Sequence, residues 1–166
     1  RDIIRKENFL CDISLPSYEC ILYVIAHHNA AHLPQHSPPR TRFYLQLLRD
    51  ADKIDIWYVV TNYYSNKNSE SNAIELDLPD TAGISDKVYR DIMNKDIVSF
   101  NHINNFNDFK ILQMGWIFDI NFSRTFHIIK QRKYLERIYE SMSRCEAIDD
   151  VYRMTTKFLE RKCANA

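Results

Sequence analysis

Residues 41–64 read TRFYLQLLRDADKIDIWYVVTNYY, and this stretch decides the fold class. Leu45, Leu48, Ile56, Val59 and Tyr63 recur at the intervals that place side chains on one face of an α-helix. Neither proline nor glycine interrupts the run. The spacing predicts one long helix, the longest in the chain, with those five residues as its buried stripe. Asp52 falls in the same stripe, four residues after Leu48 and four before Ile56. A carboxylate there loses water and has to be neutralised, paired or bound to a metal. An ion pair with an arginine from another helix would serve as well as a metal. Asp50 points to a different face, Asp55 borders the stripe one turn on, and Lys53 lies beside Asp52.

Working outward, helical patterns follow one another on both sides. Asp2 to Leu10 reads as the end of a helix. A second helix starts at Pro16 and Ser17, carries Ile21, Val24 and Ile25 on one face, and is stopped by Pro34. Residues 35–40, with Pro38 and Pro39, read as loop. Beyond the long helix, Ser65 to Ser71 is a polar loop and Ile74 to Thr81 is extended or irregular. Ser85 is placed to cap a short helix reaching Asn94, and Asn105 or Asn107 to cap the next. That next helix, with Ile111, Leu112, Met114, Trp116, Ile117 and Phe118, is apolar nearly all round and so central. One helix is expected from Ser123 to about Met142, and a last one from Glu146 to Lys162 with Val151, Met154, Phe158 and Leu159 inward. The expected fold is all-α, an irregular multi-helix bundle forming a single domain over residues 1–166.

Composition bounds the function. The 166 residues are 45% hydrophobic and carry 22 Lys plus Arg against 22 Asp plus Glu. That balance argues against general nucleic-acid binding and against a membrane-surface protein, both of which need a basic excess. No apolar run reaches the ~18 residues that span a bilayer. With two glycines, Gly83 and Gly115, there is no Gly-rich phosphate loop, and no nucleophile elbow is present. Cys11, Cys20, Cys145 and Cys163 lack metal-ligand spacing and read as the reduced thiols of a cytoplasmic protein.

The segment Ala26 to Pro34, AHHNAAHLP, is the second place where chemistry could reside. His28 continues the apolar face of its helix and His32 follows one turn later, a spacing at which two imidazoles can share a metal. Hydrogen-bonded structural histidines explain His27 and His32 more simply. His36 sits in a proline-rich loop, and His102 and His127 read as structural.

Taken together, His28-Asn29-x-x-x-Leu33-Pro34 and the following Arg49-Asp50-Ala51-Asp52-Lys53-Ile54-Asp55 resemble the HD superfamily of metal-dependent phosphohydrolases. A group of bacterial HD-domain proteins shares, in order, stretches similar to Val59–Tyr64, Leu78–Thr81 and Leu112–Phe122. The resemblance runs from about Ile21 to the last helix and implies an HD-domain-like bundle: the C-terminal portion of an HD domain plus C-terminal helices.

The resemblance also implies a site. Asp52 matches the last metal ligand of the family, and His28 an additional histidine that contacts a second metal or the substrate phosphate. Lys53 matches a position that can approach a phosphate. Asp50, Asp55 and Asn29 would stand behind the ligands or face the substrate. The implied cofactor is a divalent ion (Mn, Mg, Fe, Co, Ni or Zn), which would activate a water for attack on phosphorus. The implied substrate is a nucleotide or other small phosphomonoester, and an oligomer is allowed. The family's first histidine and its His-Asp doublet have no counterpart, because none of the six histidines is followed by Asp. With Arg1 rather than Met at the start, these elements are expected upstream. The chain as it stands is expected to be catalytically incomplete, and the competing expectation is a degenerate, non-catalytic HD-domain binding or regulatory module.

Overall fold

The structure, a computed structural model, describes residues 2–66 and 72–165, and every regular element among them is helical. In chain order these are α1 (Asp2–Lys6), α2 (Leu15–His27), α3 (Pro39–Ser65), α4 (Asn72–Glu75), α5 (Asp86–Met93), α6 (Phe106–Gly115), α7 (Ser123–Gln131), α8 (Tyr134–Glu140) and α9 (Glu146–Ala164). Single 3₁₀ turns occupy Phe100–His102 and Trp116–Asp119. The all-α expectation holds. Residues 67–71 of the expected polar loop lie outside the described residues. The chain divides into two compact units, Arg1–Asp52 and Lys53–Ala166.

The long helix forms as α3, but a different face of it is buried. Leu45, Arg49, Lys53, Trp57, Val60 and Tyr64 are buried, whereas Leu48, Ile56 and Tyr63 are half-buried and Val59 is exposed. The stripe is therefore rotated by about one residue from the expected one. The reason is volume and hydrogen bonding. Trp57, which the expected stripe omitted, is completely buried, and an indole contributes roughly 150–250 Å² of burial. Its Nε1 donates to the Gln113 carbonyl at 3.1 Å, and its ring centroid lies 6.0 Å from those of Trp116 and Tyr134. One turn on, the Tyr64 hydroxyl donates to Gln113 Oε1 at 2.9 Å. Burial pushes that hydroxyl well above the ordinary phenol range, so it acts as a donor.

The core of the second unit centres on Ile111, Met114 and Ile117, all fully buried, and α9 packs against α5, α6, α7 and α8. The central helix ends sooner than expected: α6 stops at Gly115 and the chain tightens into the turn Trp116–Asp119. A Cβ at Gly115 would come within 2.7 Å of Ile92 Cδ1, so glycine lets α5 approach α6.

The expected helix from Ser123 to Met142 is two helices. Lys133, at φ 55°, breaks it in the left-handed region. Continuing from the buried Phe126 and Ile129 at helical spacing would turn Lys133, Arg137 and Glu140 inward. The break resets the phase, so Tyr134, Leu135 and Ile138 are buried instead.

A buried carboxylate fixes the loop before α5. Asp108 is fully buried and accepts from Ser85 N at 2.7 Å, Ser85 Oγ at 2.6 Å and Asn104 N at 2.9 Å. Ser85 thus occupies the N-cap position of α5 but gives its hydroxyl to Asp108 instead of capping. Asn105 caps α6, its side chain accepting from Asp108 N at 2.9 Å. Asn107 Nδ2 donates to the Thr81 and Gly83 carbonyls, so two neighbouring residues of α6 tie the loop around 81–85 to this unit.

Two outcomes follow for stability. Asp108→Asn, which turns an acceptor into a donor facing N–H groups, should cost about 1–3 kcal/mol for each group left unsatisfied; an unchanged urea midpoint would contradict the clamp. Lys133→Gly should raise stability by about 1 kcal/mol, because glycine carries no left-handed penalty. A lowered melting temperature would show that the lysine is not strained.

Candidate functional site

The candidate residues from His28 to Asp52 belong to the first unit. α2 ends at His27, one residue before His28, so His28 and His32 do not share a helical face as expected; His32 is exposed beyond the helix end. The cause is visible in the hydrogen bonds. Arg49 Nη1 donates to the His28 carbonyl at 2.7 Å and to the Ala30 carbonyl at 2.5 Å. The guanidinium thus satisfies carbonyls that a helix terminus leaves open, and its charge suits that end of the helix dipole. Arg49 is buried and was not among the residues the pattern singled out. Its only signal in the sequence was its place beside Asp50.

His28 itself is half-buried, and its Nδ1 lies 2.9 Å from the Ile25 carbonyl. A carbonyl only accepts, so Nδ1 carries the proton, and a neutral ring then presents the Nε2 lone pair outward. This is how ligating histidines are usually held. His27 and His127 make the same type of bond, to the Tyr23 and Ser123 carbonyls, so the bond alone does not single out His28. Asn29 is exposed.

The acidic residues are arranged differently from expectation. Asp50, expected on a different face from the stripe, is the more buried, at 2% exposure. It is engaged in interactions of its own. Asp52 is half-buried, and its carboxylate has no hydrogen bond or ion pair among the described residues. The Asp–Arg pairing that would have explained it structurally is therefore not made.

In the second unit, Lys53 is buried and its Nζ lies 2.7 Å from Asp119 Oδ2. Asp119 closes the 3₁₀ turn Trp116–Asp119, and the sequence pattern gave no reason to pair the two. Asp55 is exposed. His102, read as structural, carries a carboxylate partner: its Nδ1 lies 2.6 Å from Asp91 Oδ2, which also accepts from Ser99 N.

Among the described residues, no three His, Cys, Asp or Glu side chains converge on a point that could hold a metal ion. The residues present do not by themselves fit a divalent ion, and no catalytic step is routed through one. All four cysteines are free. No described helix is long and apolar enough to cross a membrane. No protein-family model matches the chain, and neither a curated protein nor a solved structure similar to it was found.

Arg49→Lys tests how the His28 segment is held. An ammonium cannot reproduce the planar fork of the guanidinium, and breaking a buried charged contact costs about 3–5 kcal/mol when the partner is lost outright. Hydrogen exchange should accelerate at residues 28–31 in the variant. Unaltered protection there would show that the helix end holds itself.

Proposed function

We propose that this chain is part of a metal-dependent phosphohydrolase of the HD superfamily, hydrolysing a small phosphomonoester or nucleotide. The observation that carries the reading is Asp52: a half-buried carboxylate, on the helix that bears the Asp50–Asp55 run, with no counter-charge among the described residues. Structural ion pairs are the usual reason for a carboxylate in a helix interior, and Asp52 lacks one. His28 supports the reading more weakly, through an Nδ1 bond that leaves Nε2 for a ligand.

In this reading Asp52 supplies a hard, anionic metal ligand. His28 supplies an imidazole for a second ion or, when protonated, for phosphate charge. Lys53 neutralises substrate charge, and Asp50 is a buried support instead of a group that faces substrate. The bound ion would supply the activated water and the polarised phosphoryl oxygen. The reading requires further ligands, equivalent to the family's His-Asp doublet, from protein outside residues 1–166.

The test is Asp52→Asn in the full protein, assayed with p-nitrophenyl phosphate and nucleoside monophosphates across Mn, Mg, Fe, Co, Ni and Zn. Activity should fall by more than the roughly 10–100-fold that loss of an outer-sphere group costs, with stoichiometric metal lost by elemental analysis and helix content kept. Unchanged turnover would end the ligand assignment. A wild-type protein that neither retains metal nor hydrolyses any of these esters would instead be the non-catalytic binding module.

A further inference from the structure

The run Leu112–Phe122 drew notice in the sequence, and the proposed chemistry does not use it. Its Asp119 is the residue that meets Lys53. Side-chain exposures are 11% for Lys53 and 28% for Asp119, so the pair lies at the edge of the interior and not in its centre.

Two features set this pair apart from an ordinary tie between α3 and α6. First, the tie is already made elsewhere. Trp57 and Tyr64, one and three turns further along α3, both bond to Gln113 from fully desolvated or nearly desolvated positions. A charged pair adds little to such docking, since desolvation cancels much of its attraction. Second, the lysine is under-used. An ammonium has three N–H donors, and among the described residues Lys53 meets one acceptor, Asp119. A largely buried cation with spare donors is poised to take an anion.

We infer that Lys53 and Asp119 form an anion-holding pair in which Asp119 is a positioning residue: it fixes the ammonium so that the remaining N–H groups of Lys53 bind a phosphoryl oxygen. This deepens the phosphohydrolase reading, on which the identity of the anion rests; the contact itself does not depend on it. The two views of Asp119 predict opposite signs. If the carboxylate merely neutralises a lysine that no anion visits, removing its charge frees a cation and phosphate binds better. If it positions the lysine, removal loosens the ammonium and phosphate binds worse.

The experiment uses the full protein and inorganic phosphate as probe. Acetylation of Lys53 by acetic anhydride is followed by mass spectrometry with and without phosphate. In the wild type, phosphate should protect Lys53. In Asp119→Asn the phosphate concentration for half-protection should rise by roughly tenfold or more, and Asp119→Glu should recover part of it. Trp57 fluorescence should stay native in both, separating a misplaced lysine from an undocked helix. Where turnover is measured, KM should rise more than kcat falls. Lys53 labelling that ignores phosphate in the natively emitting wild type, or protection that improves in Asp119→Asn, overturns the inference. Protection without any hydrolysis defeats the phosphohydrolase reading alone; hydrolysis without protection defeats the Lys53–Asp119 assignment alone.

Discussion

The hydrogen bond from the Trp57 indole to the Gln113 carbonyl sets the rotational phase of the longest helix, and much else follows from that phase. A buried indole can donate in one direction only, and an unsatisfied N–H in the interior is costly. With Trp57 fixed, helical geometry brings Lys53 and Val60 to the same side and carries Val59 round toward solvent, about 100° per residue. Gln113 is the counterpart on α6. Its carbonyl takes the indole and its side-chain oxygen takes the Tyr64 hydroxyl, while its Nε2 has no partner among the described residues. A polar residue that leaves one donor unmet in a fully buried position is tolerated because its two acceptors lock α3 to the core.

The phase of α3 was hidden in the sequence for a definable reason. Periodicity analysis looks for apolar residues, yet three of the residues buried in the middle of α3 are Arg49, Asp50 and Lys53. The true stripe therefore reads as polar over two turns, and the half-buried Leu48 and Ile56 give a cleaner, false signal. What was legible was the existence of the helix, since uninterrupted helical spacing does not depend on which face is inward. The Asn105 cap was legible among two candidates, because both lay at a helix start and only side-chain geometry could separate them. The break at Lys133 carried no glycine or proline to announce it. It is recoverable only by noticing that continuing the Phe126–Ile129 face would bury charges.

The candidate site shows the same division. Asp52 could be found because a carboxylate stood out within an apolar pattern. Arg49 and Asp119 could not, because their roles are contacts between segments far apart in sequence: Arg49 reaches carbonyls about twenty residues earlier, and Asp119 meets a lysine on a different helix. The same holds for Asp108, whose three donors come from two loops. Pattern reading marks residues that are anomalous where they stand. It does not mark residues that look ordinary and become important only when the chain brings a partner to them.

Asp52 and Lys53 are adjacent in sequence and opposite in circumstance. The anion is half-buried and unpaired; the cation is buried and held by Asp119. Left to themselves, neighbouring opposite charges on one helix gain little from each other, since side chains one residue apart do not face each other. A protein that needed only solubility or helix stability would place such charges at spacings of three or four residues, where they pair. Here each charge is instead directed to its own surroundings. That separation is what a reaction on a phosphate ester requires: the negative group must be free for a cation, and the positive group must be kept from collapsing onto that negative group so that it remains available to the anion. On this argument Asp119 has a negative role as well as a positive one, drawing Lys53 away from the one carboxylate that has to stay unpaired.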